Sequence, residues 1–281
     1  MITKDMKISI IGLGLLGGSY AEGFKEAGYD VYGLDKDEDT IAYAKEKGWI
    51  KDGSTDPEIV RDSDIVISAM YPKTFIQWIE EHQDLLKPGS ILTDVTGVKR
   101  NVIKEINEIL RPDVEYIAAH PMAGREFKGI RYADNTLFHK ANYIIVATDQ
   151  NSERAKEAAK NIAEILQFKH ISTLSPEKHD RMIGFLSQLT HVIAVSLMNV
   201  SDDPSLVEYT GDSFRDLTRI ANINADLWPE LFVENKDYLL EEIDAFTEEM
   251  NAFRVLLETE DIEGMKEKME ISTARRKAFD K

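Results

Sequence analysis

Three groups of residues in this chain have types and spacings that can do chemistry. The first is Gly12-Leu13-Gly14-Leu15-Leu16-Gly17, a G-x-G-x-x-G run where an apolar strand-like stretch turns into a helical one. Glycine at 12 permits the tight turn, at 14 it lets backbone amides approach a pyrophosphate, and at 17 it lets helix and strand pack closely. Unpaired N–H groups and the dipole at the helix start then favour that anion. Asp35 ends the next apolar stretch, 23 residues beyond Gly12. A carboxylate there accepts hydrogen bonds from a ribose 2′-hydroxyl and repels a 2′-phosphate. Lys36 follows with no arginine nearby, so the pattern favours NAD over NADP. Leu13, Leu15, Leu16, Ala69 and Met70 complete the candidate cofactor-binding set. A glycine turn and a loop-capping aspartate would look the same taken one at a time.

The second group is histidine. His120, in Tyr116-Ile117-Ala118-Ala119-His120-Pro121-Met122-Ala123-Gly124, stands at the C-terminal end of a predicted parallel strand, the edge at which open α/β sheets bind ligands. With an ordinary pKa of about 6.5, an imidazole there can take a proton from a substrate hydroxyl as hydride leaves the same carbon. It could also simply fill a strand–loop junction. His179 and His191 are twelve residues apart on one apolar helical stretch, about 18 Å along a straight helix, too far to share a metal. One could line a pocket while the other makes a structural hydrogen bond. His82, His139 and His170 lie in polar or loop contexts and carry no signal. The third group is Asp216 and Arg219, which at i,i+3 on a helix form either a preorganised carboxylate clamp or an ordinary exposed pair.

The elements that must position these groups change character once along the chain. Up to residue 172, apolar β-type runs at 7–13, 29–35, 65–70, 91–95, 116–120, 143–147 and 170–172 alternate with amphipathic helical stretches at 16–27, 38–47, 74–86, 101–110 and 152–166. That alternation predicts an α/β, Rossmann-type doubly wound, mostly parallel sheet. From residue 173 the β signal stops and an all-helical domain is expected, giving domains 1–172 and 173–281. Residues 176–200 are apolar nearly all round, which predicts a helix buried on every side. Leu239, Ile243, Phe246, Met250, Phe253 and Leu257 form a heptad-like seam suited to a bundle or a dimer contact.

Composition narrows the partners. With 34 Lys+Arg against 51 Asp+Glu in 281 residues, the net charge of −17 argues against a non-specific nucleic-acid or anionic-membrane binder. No cysteine occurs, so disulfides and thiolate chemistry are excluded. No apolar run approaches the roughly 20 residues that span a bilayer, nor is the N-terminus signal-like, so a cytoplasmic protein is expected.

Taken in order, the glycine run with Gly18-Ser19, the segment His120-Pro121-Met122-Ala123-Gly124, the stretch from Glu177-Lys178-His179-Asp180 to Leu189-Thr190-His191, and Asp216-Leu217-Thr218-Arg219-Ile220-Ala221 resemble the prephenate/arogenate dehydrogenases of tyrosine biosynthesis over about residues 6–260. The resemblance implies NAD-dependent oxidative decarboxylation of prephenate to 4-hydroxyphenylpyruvate, no metal, and a helical domain that dimerises. It implies that His120 accepts the hydroxyl proton and that Arg219 binds a substrate carboxylate. Glu126 and Asp216 would form an ionic network with that arginine, and His179, Ser187 and His191 would line the pocket. Many relatives carry Gly-Ser-Val-Lys after the fourth strand, the serine bonded to the catalytic histidine. Here Thr96-Gly97-Val98-Lys99 puts glycine in the serine's place, so Thr96 or a water is expected to orient His120. Arg125, where threonine is common, is expected to add a cation that favours prephenate over arogenate. At 281 residues, the ACT or mutase domains of some relatives are not expected. The rival readings are an arogenate dehydrogenase (arogenate to tyrosine), another two-domain NAD-dependent enzyme, such as a 3-hydroxyacid dehydrogenase or an imine reductase, and a non-catalytic NAD-binding regulator.

Overall fold

The computed structural model describes residues 1–125 and 127–280. It divides into two compact units, Met1–Asn235 and Lys236–Lys281. The first unit is built on an eight-stranded sheet of order β3-β2-β1-β4-β5-β6-β7-β8. These strands are β1 (Ile8–Ile11), β2 (Val31–Leu34), β3 (Asp52–Ser54), β4 (Ile65–Ser68), β5 (Ile91–Asp94), β6 (Glu115–Pro121), β7 (Asn142–Val146) and β8 (His170–Leu174). All neighbours pair in parallel except β6 and β7. Crossover helices α1 (Leu15–Glu26), α2 (Glu38–Glu46), α3 (Pro72–His82), α4 (Arg100–Ile109) and α5 (Glu153–Ile165) cover both faces. The expected mostly parallel α/β architecture therefore holds. Strands β1, β4 and β5 are buried at every residue, as central strands covered on two sides must be. Two apolar layers result, one including Tyr20, Phe24 and Ile162, the other Phe75, Ile79 and Ile106.

Strand order reverses direction at β1 and β4, which lie side by side although β1 leads to β2 in sequence. The crevice beyond their C-terminal ends is the topological switch point where such sheets bind ligands.

After β8 the chain is helical: α6 (Pro176–Ile183), a π-helical turn at Gly184–Leu189, α7 (Thr190–Asn199), α8 (Asp212–Thr218) and α9 (Trp228–Glu234). These helices belong to the first compact unit. The continuous helix Pro176–Asn199 is, by length and composition, apolar enough to cross a membrane, which corrects the expectation that no such run exists. The expectation of all-round burial is also corrected. His179, Asp180, Gln188 and Leu189 are buried, but Phe185 and Leu186 are 54% and 46% exposed. The second unit contains α10 (Lys236–Glu258) and α11 (Ile262–Arg276), joined by a turn in which Asp261 caps α11 through the Gly264 amide. On α10 the heptad-like seam is exposed at Phe246, Met250 and Leu257.

Candidate active site

A cavity of about 510 Å³ opens at the switch point. One wall is the glycine loop and the first turn of α1, with Gly14, Leu15 and Leu16 facing the space, beside Ala69 and Met70 after β4. The opposite wall brings in Ser187, Gln188 and His191 from the long helix, and Arg219, Trp228 and Leu231 beyond it. Thr96, Gly97, His120 and Arg125 close the floor and rim.

The glycine loop has distinct requirements at each position. Gly12 sits at φ +85°, and a Cβ there would lie 3.0 Å from the Ala69 carbonyl oxygen. At Gly17 a Cβ would fall 1.8 Å from the Gly12 carbonyl oxygen, so only glycine lets helix and loop touch. A Cβ on Gly14 would meet no protein atom within 4 Å, so a side chain there would point into open space. Gly14 caps α1 without a side-chain hydrogen bond, and no acid occupies the first turn. Amides left uncapped at a helix start favour an anion. Asp35 accepts a hydrogen bond from the Leu13 amide at 2.7 Å and one from the Asp37 amide at 3.0 Å. Its carboxylate is thus fixed beside the loop with lone pairs remaining for a ribose hydroxyl. Leu13 turns its side chain into the core, and Lys36 is exposed and outside the cavity lining. Loop, helix start and Asp35 fit an NAD adenosine diphosphate moiety.

His120, on the last turn of β6, keeps an edge on the cavity. Its Nδ1 is 2.9 Å from Nε2 of His179. His179 is fully buried, and its Nδ1 lies 2.7 Å from Asp180 Oδ1. The Asp180 carboxylate in turn accepts the Lys99 amide at 2.9 Å and the Arg100 amide at 2.8 Å, capping the N-terminus of α4 from another helix. Asn235 fastens this corner by donating to the Asp180 carbonyl and to Gln188. Burial, with His179 and Lys99 adding to it, holds the His120 pKa well below the ordinary histidine value. Burial also lowers that of His179, opposed by its bond to Asp180. Both rings are therefore neutral near pH 7.

Below His120 lies a second buried polar group. Lys99 Nζ contacts Asp94 Oδ1 at 2.5 Å and Thr96 Oγ1 at 3.0 Å, and Tyr116 donates to Asp94 Oδ2 at 2.6 Å. Burial pushes the Lys99 pKa down, Asp94 pulling against it, and pushes that of Tyr116 well up. The Thr96 hydroxyl lies 2.5 Å from Asp94 Oδ1. It is engaged in this group, and the contact that orients His120 comes instead from His179. That corrects the expectation for Thr96. His179 does not line the cavity either: its ring is used up between His120 and Asp180. Of the two helix histidines, His191 is the one on the cavity, its Nδ1 at 2.8 Å from the Ser187 carbonyl and its ring stacked on Trp228.

Among the other expected residues, Arg219 and Ser187 line the cavity. Asp216 is exposed on α8 and outside the lining; α8 ends at Thr218, and Arg219 begins a 3₁₀ turn. Arg125 reaches the rim but its guanidinium is paired with Asp134 at 2.6 Å, so it does not present an uncompensated charge. Glu126 lies outside the described residues. Asp180, Lys99 and Asp94 went unnoticed as functional residues in the sequence. The one available signal was the placement of an aspartate directly after His179.

Comparison with known proteins agrees with this geometry. Residues 20–171 match the family model described as "Prephenate dehydrogenase, nucleotide-binding domain", and residues 175–271 match "Prephenate dehydrogenase, dimerization domain". A prephenate dehydrogenase of Bacillus subtilis is 28% identical over 93% of this chain and 73% of its own length. A cyclohexadienyl dehydrogenase of Zymomonas mobilis is 30% identical over 92% of this chain and 91% of its own. The crystal structure of prephenate dehydrogenase from A. aeolicus with hydroxyphenyl propionate and NAD+ superposes with a TM-score of 0.89. It has 26% identity and covers 98% of this chain and 99% of that one. The agreement spans both halves of the chain, and on it the chain belongs to the prephenate dehydrogenase family of NAD-dependent oxidoreductases.

Proposed function

We propose that the cavity binds prephenate in preference to arogenate and that His120 Nε2 is the base of its oxidative decarboxylation. The observation that carries this reading is the placement of a neutral imidazole edge in the same 510 Å³ space as the open face of the glycine loop. Residues 12–17 and Asp35 would hold NAD, which would supply the hydride acceptor for the ring carbon that bears the hydroxyl. His120 takes the hydroxyl proton; the ring carboxylate leaves as carbon dioxide, and the aromatised oxygen recovers the proton. The base is thus regenerated within one turnover. Arg219 supplies the cation for the side-chain carboxylate, with His191 and Ser187 beside it, while Arg125 shares its charge between Asp134 and the substrate. The remaining work is orientation, which a rigid cavity performs by holding reacting groups together.

Residues 1–172 form the cofactor domain and residues 173–281 the helical substrate and dimerisation domain, its pocket residues lying between Ile183 and Leu231, in a homodimer in the cytoplasm. Support for the dimer is the exposed apolar surface of the long helix and the match to a dimerisation domain. The test follows reduced cofactor at 340 nm with prephenate or arogenate, for the native enzyme, His120→Asn and Arg125→Ala. Turnover of prephenate that falls at least about 100-fold in His120→Asn is expected. Full activity in that variant, or no turnover of either substrate by the native enzyme, overturns the reading.

A further inference from the structure

The position at which relatives carry a serine against the catalytic histidine is empty of side chain in this protein. A Cβ at Gly97 would lie 4.0 Å from His120 Nε2, and the nearest protein atom, on Leu231, would be 3.4 Å away. Among the described residues no hydroxyl is bonded to Nε2 from that side: residue 97 has none, and Thr96 is bonded to Asp94 and its neighbours. The ring of His120 nonetheless has a directed partner, on its other nitrogen.

We infer that His179 and Asp180 are positioning residues that fix the tautomer of His120, leaving its Nε2 as the free base toward the cavity. The inference deepens the role proposed above for His120 and rests on it for its catalytic consequence. The direction of the chain follows from donor and acceptor capacities. Asp180 accepts only, and two backbone amides already point at it, so the His179 nitrogen facing it must carry the proton. A neutral His179 then presents a lone pair on Nε2. His120 Nδ1 must donate to that lone pair across 2.9 Å. A neutral His120 with its proton on Nδ1 has its lone pair on Nε2, the nitrogen beside Gly97 and the cavity. No other pair of neutral tautomers satisfies both ring contacts.

The same chain accommodates the charge that catalysis produces. When His120 Nε2 takes a substrate proton, the His120 Nδ1–H bond can break and a His179 Nε2–H bond form. The positive charge then rests on His179 against the Asp180 carboxylate. Lys99 faces both rings and disfavours charge on either, whereas Asp94 and Asp180 favour it on His179. Arg100 is held on Asp180 Oδ2 at 3.4 Å, away from the rings. A serine contact orients a ring but cannot take its charge, so glycine at 97 is compatible with catalysis here because the work lies on the Nδ1 side.

Two measurements test this. Steady-state kinetics with prephenate and NAD over pH 5.5–9 compare the native enzyme with His179→Leu and His179→Gln, each checked for native circular dichroism. The leucine variant removes the acceptor; the glutamine can still offer an amide oxygen to His120 Nδ1–H but cannot take a proton. Loss of the orienting partner is expected to lower kcat about 100-fold or more, with KM values changed by less than about 3-fold, on the scale of tautomer defects in related triads. Glutamine is expected to recover about 10-fold of that loss. The second measurement is the ¹⁵N imidazole spectrum of the resting enzyme, with His120 assigned from His120→Asn. A proton on Nδ1 of His120 in the native enzyme and a mixed tautomer in His179→Leu are expected. This readout needs no substrate, so it tests the tautomer chain even if prephenate proves to be the wrong substrate. A native His120 protonated on Nε2, or a His179→Leu enzyme with native kcat, overturns the inference.

Discussion

Two glycines of the same loop should fail in opposite ways when each gains one methyl group. At Gly17 the new carbon would sit 1.8 Å from the Gly12 carbonyl oxygen, with Ala69 Cβ at 3.1 Å. Both neighbours of that carbon are fixed, one by the turn and one by the end of β4, so loop and helix must part by more than 1 Å. Overpacking of this kind costs about 1–3 kcal/mol or more. In a unit of this size each kcal/mol corresponds to about 2–4 °C, so Gly17→Ala, at the upper end of that cost, should lower Tm by roughly 6–12 °C. At Gly14 the methyl meets no protein atom within 4 Å, and the backbone at φ −69° and ψ −153° suits alanine. Gly14→Ala should therefore melt within about 2–3 °C of the native protein, the residual loss coming from alanine as an N-cap. Its methyl occupies the space above the α1 amides, so NAD affinity should fall about 10–100-fold, or about 1.4–2.7 kcal/mol. Thermal melts by circular dichroism, with calorimetric titration of NAD, separate the two effects. Native NAD affinity in Gly14→Ala would refute the reading of that amide cradle; a native Tm in Gly17→Ala would refute the steric one.

Three further outcomes are expected. Lys99→Met leaves Asp94 buried without its cation, which typically costs about 3–5 kcal/mol, so Tm should drop by roughly 10 °C; a melt at the native temperature would contradict the role of this pair. Burial lowers the pKa of His120 and His179 in the folded state, whereas the unfolded chain titrates near pH 6.5. As pH falls below about 6.5 the unfolded state takes up protons that the native state refuses, so stability should decrease with acidification and level off above 6.5. Denaturant titrations at pH 5.5 and 7.5 should show this, and a His120→Asn/His179→Gln variant should show a smaller difference; equal differences would refute it. Phe185→Glu together with Leu186→Glu, placing charge on exposed apolar positions of the long helix, should convert a dimer into monomer in sedimentation velocity, and an unchanged sedimentation coefficient would place the dimer contact elsewhere.

Much of the framework was legible because it depends on local rules. Apolar runs with glycine or charged ends marked seven of the eight strands, and the amphipathic stretches between them became crossover helices. Strand β3 was missed because Asp52-Gly53-Ser54 contains no apolar residue; backbone pairing with β2 at the sheet edge is what makes it a strand. The helix at 176–199 was legible as a helix but not in its facing. Its composition is apolar all round, and the π turn at Gly184–Leu189 shifts the register between His179 and His191. Which histidine meets His120 is therefore a tertiary fact. So is the placing of Arg219 on the cavity, from a 3₁₀ turn just beyond α8. The glycine roles and the placement of His120 at a strand end needed only sequence order, because β1, β2, β3, β4, β5 and β6 run parallel and put their C-terminal ends on one side.

The acidic composition looks unsuited to a substrate with two carboxylates, and the magnitudes decide the matter. At physiological ionic strength an exposed charge about 15 Å away costs an anion only about 0.04 kcal/mol once screened by water. Seventeen such charges, the whole excess of the chain, then oppose each carboxylate by about 0.7 kcal/mol. One cation about 4 Å away, at an effective dielectric constant of about 20, attracts it by about 4 kcal/mol before desolvation. Near charges therefore outweigh the global field. Two of the near cations, Arg125 and Lys128, are held by Asp134 and Asp226 in ion pairs on the exposed rim. Pairs so exposed are worth about 0–1 kcal/mol, so a substrate carboxylate can share or displace them at little cost. Meanwhile each pairing keeps a long side chain near the cavity mouth rather than dispersed in solvent. Selectivity for an anion in this protein is thus a matter of which side chains stand within a few ångströms, and the excess of acid elsewhere is nearly neutral toward it.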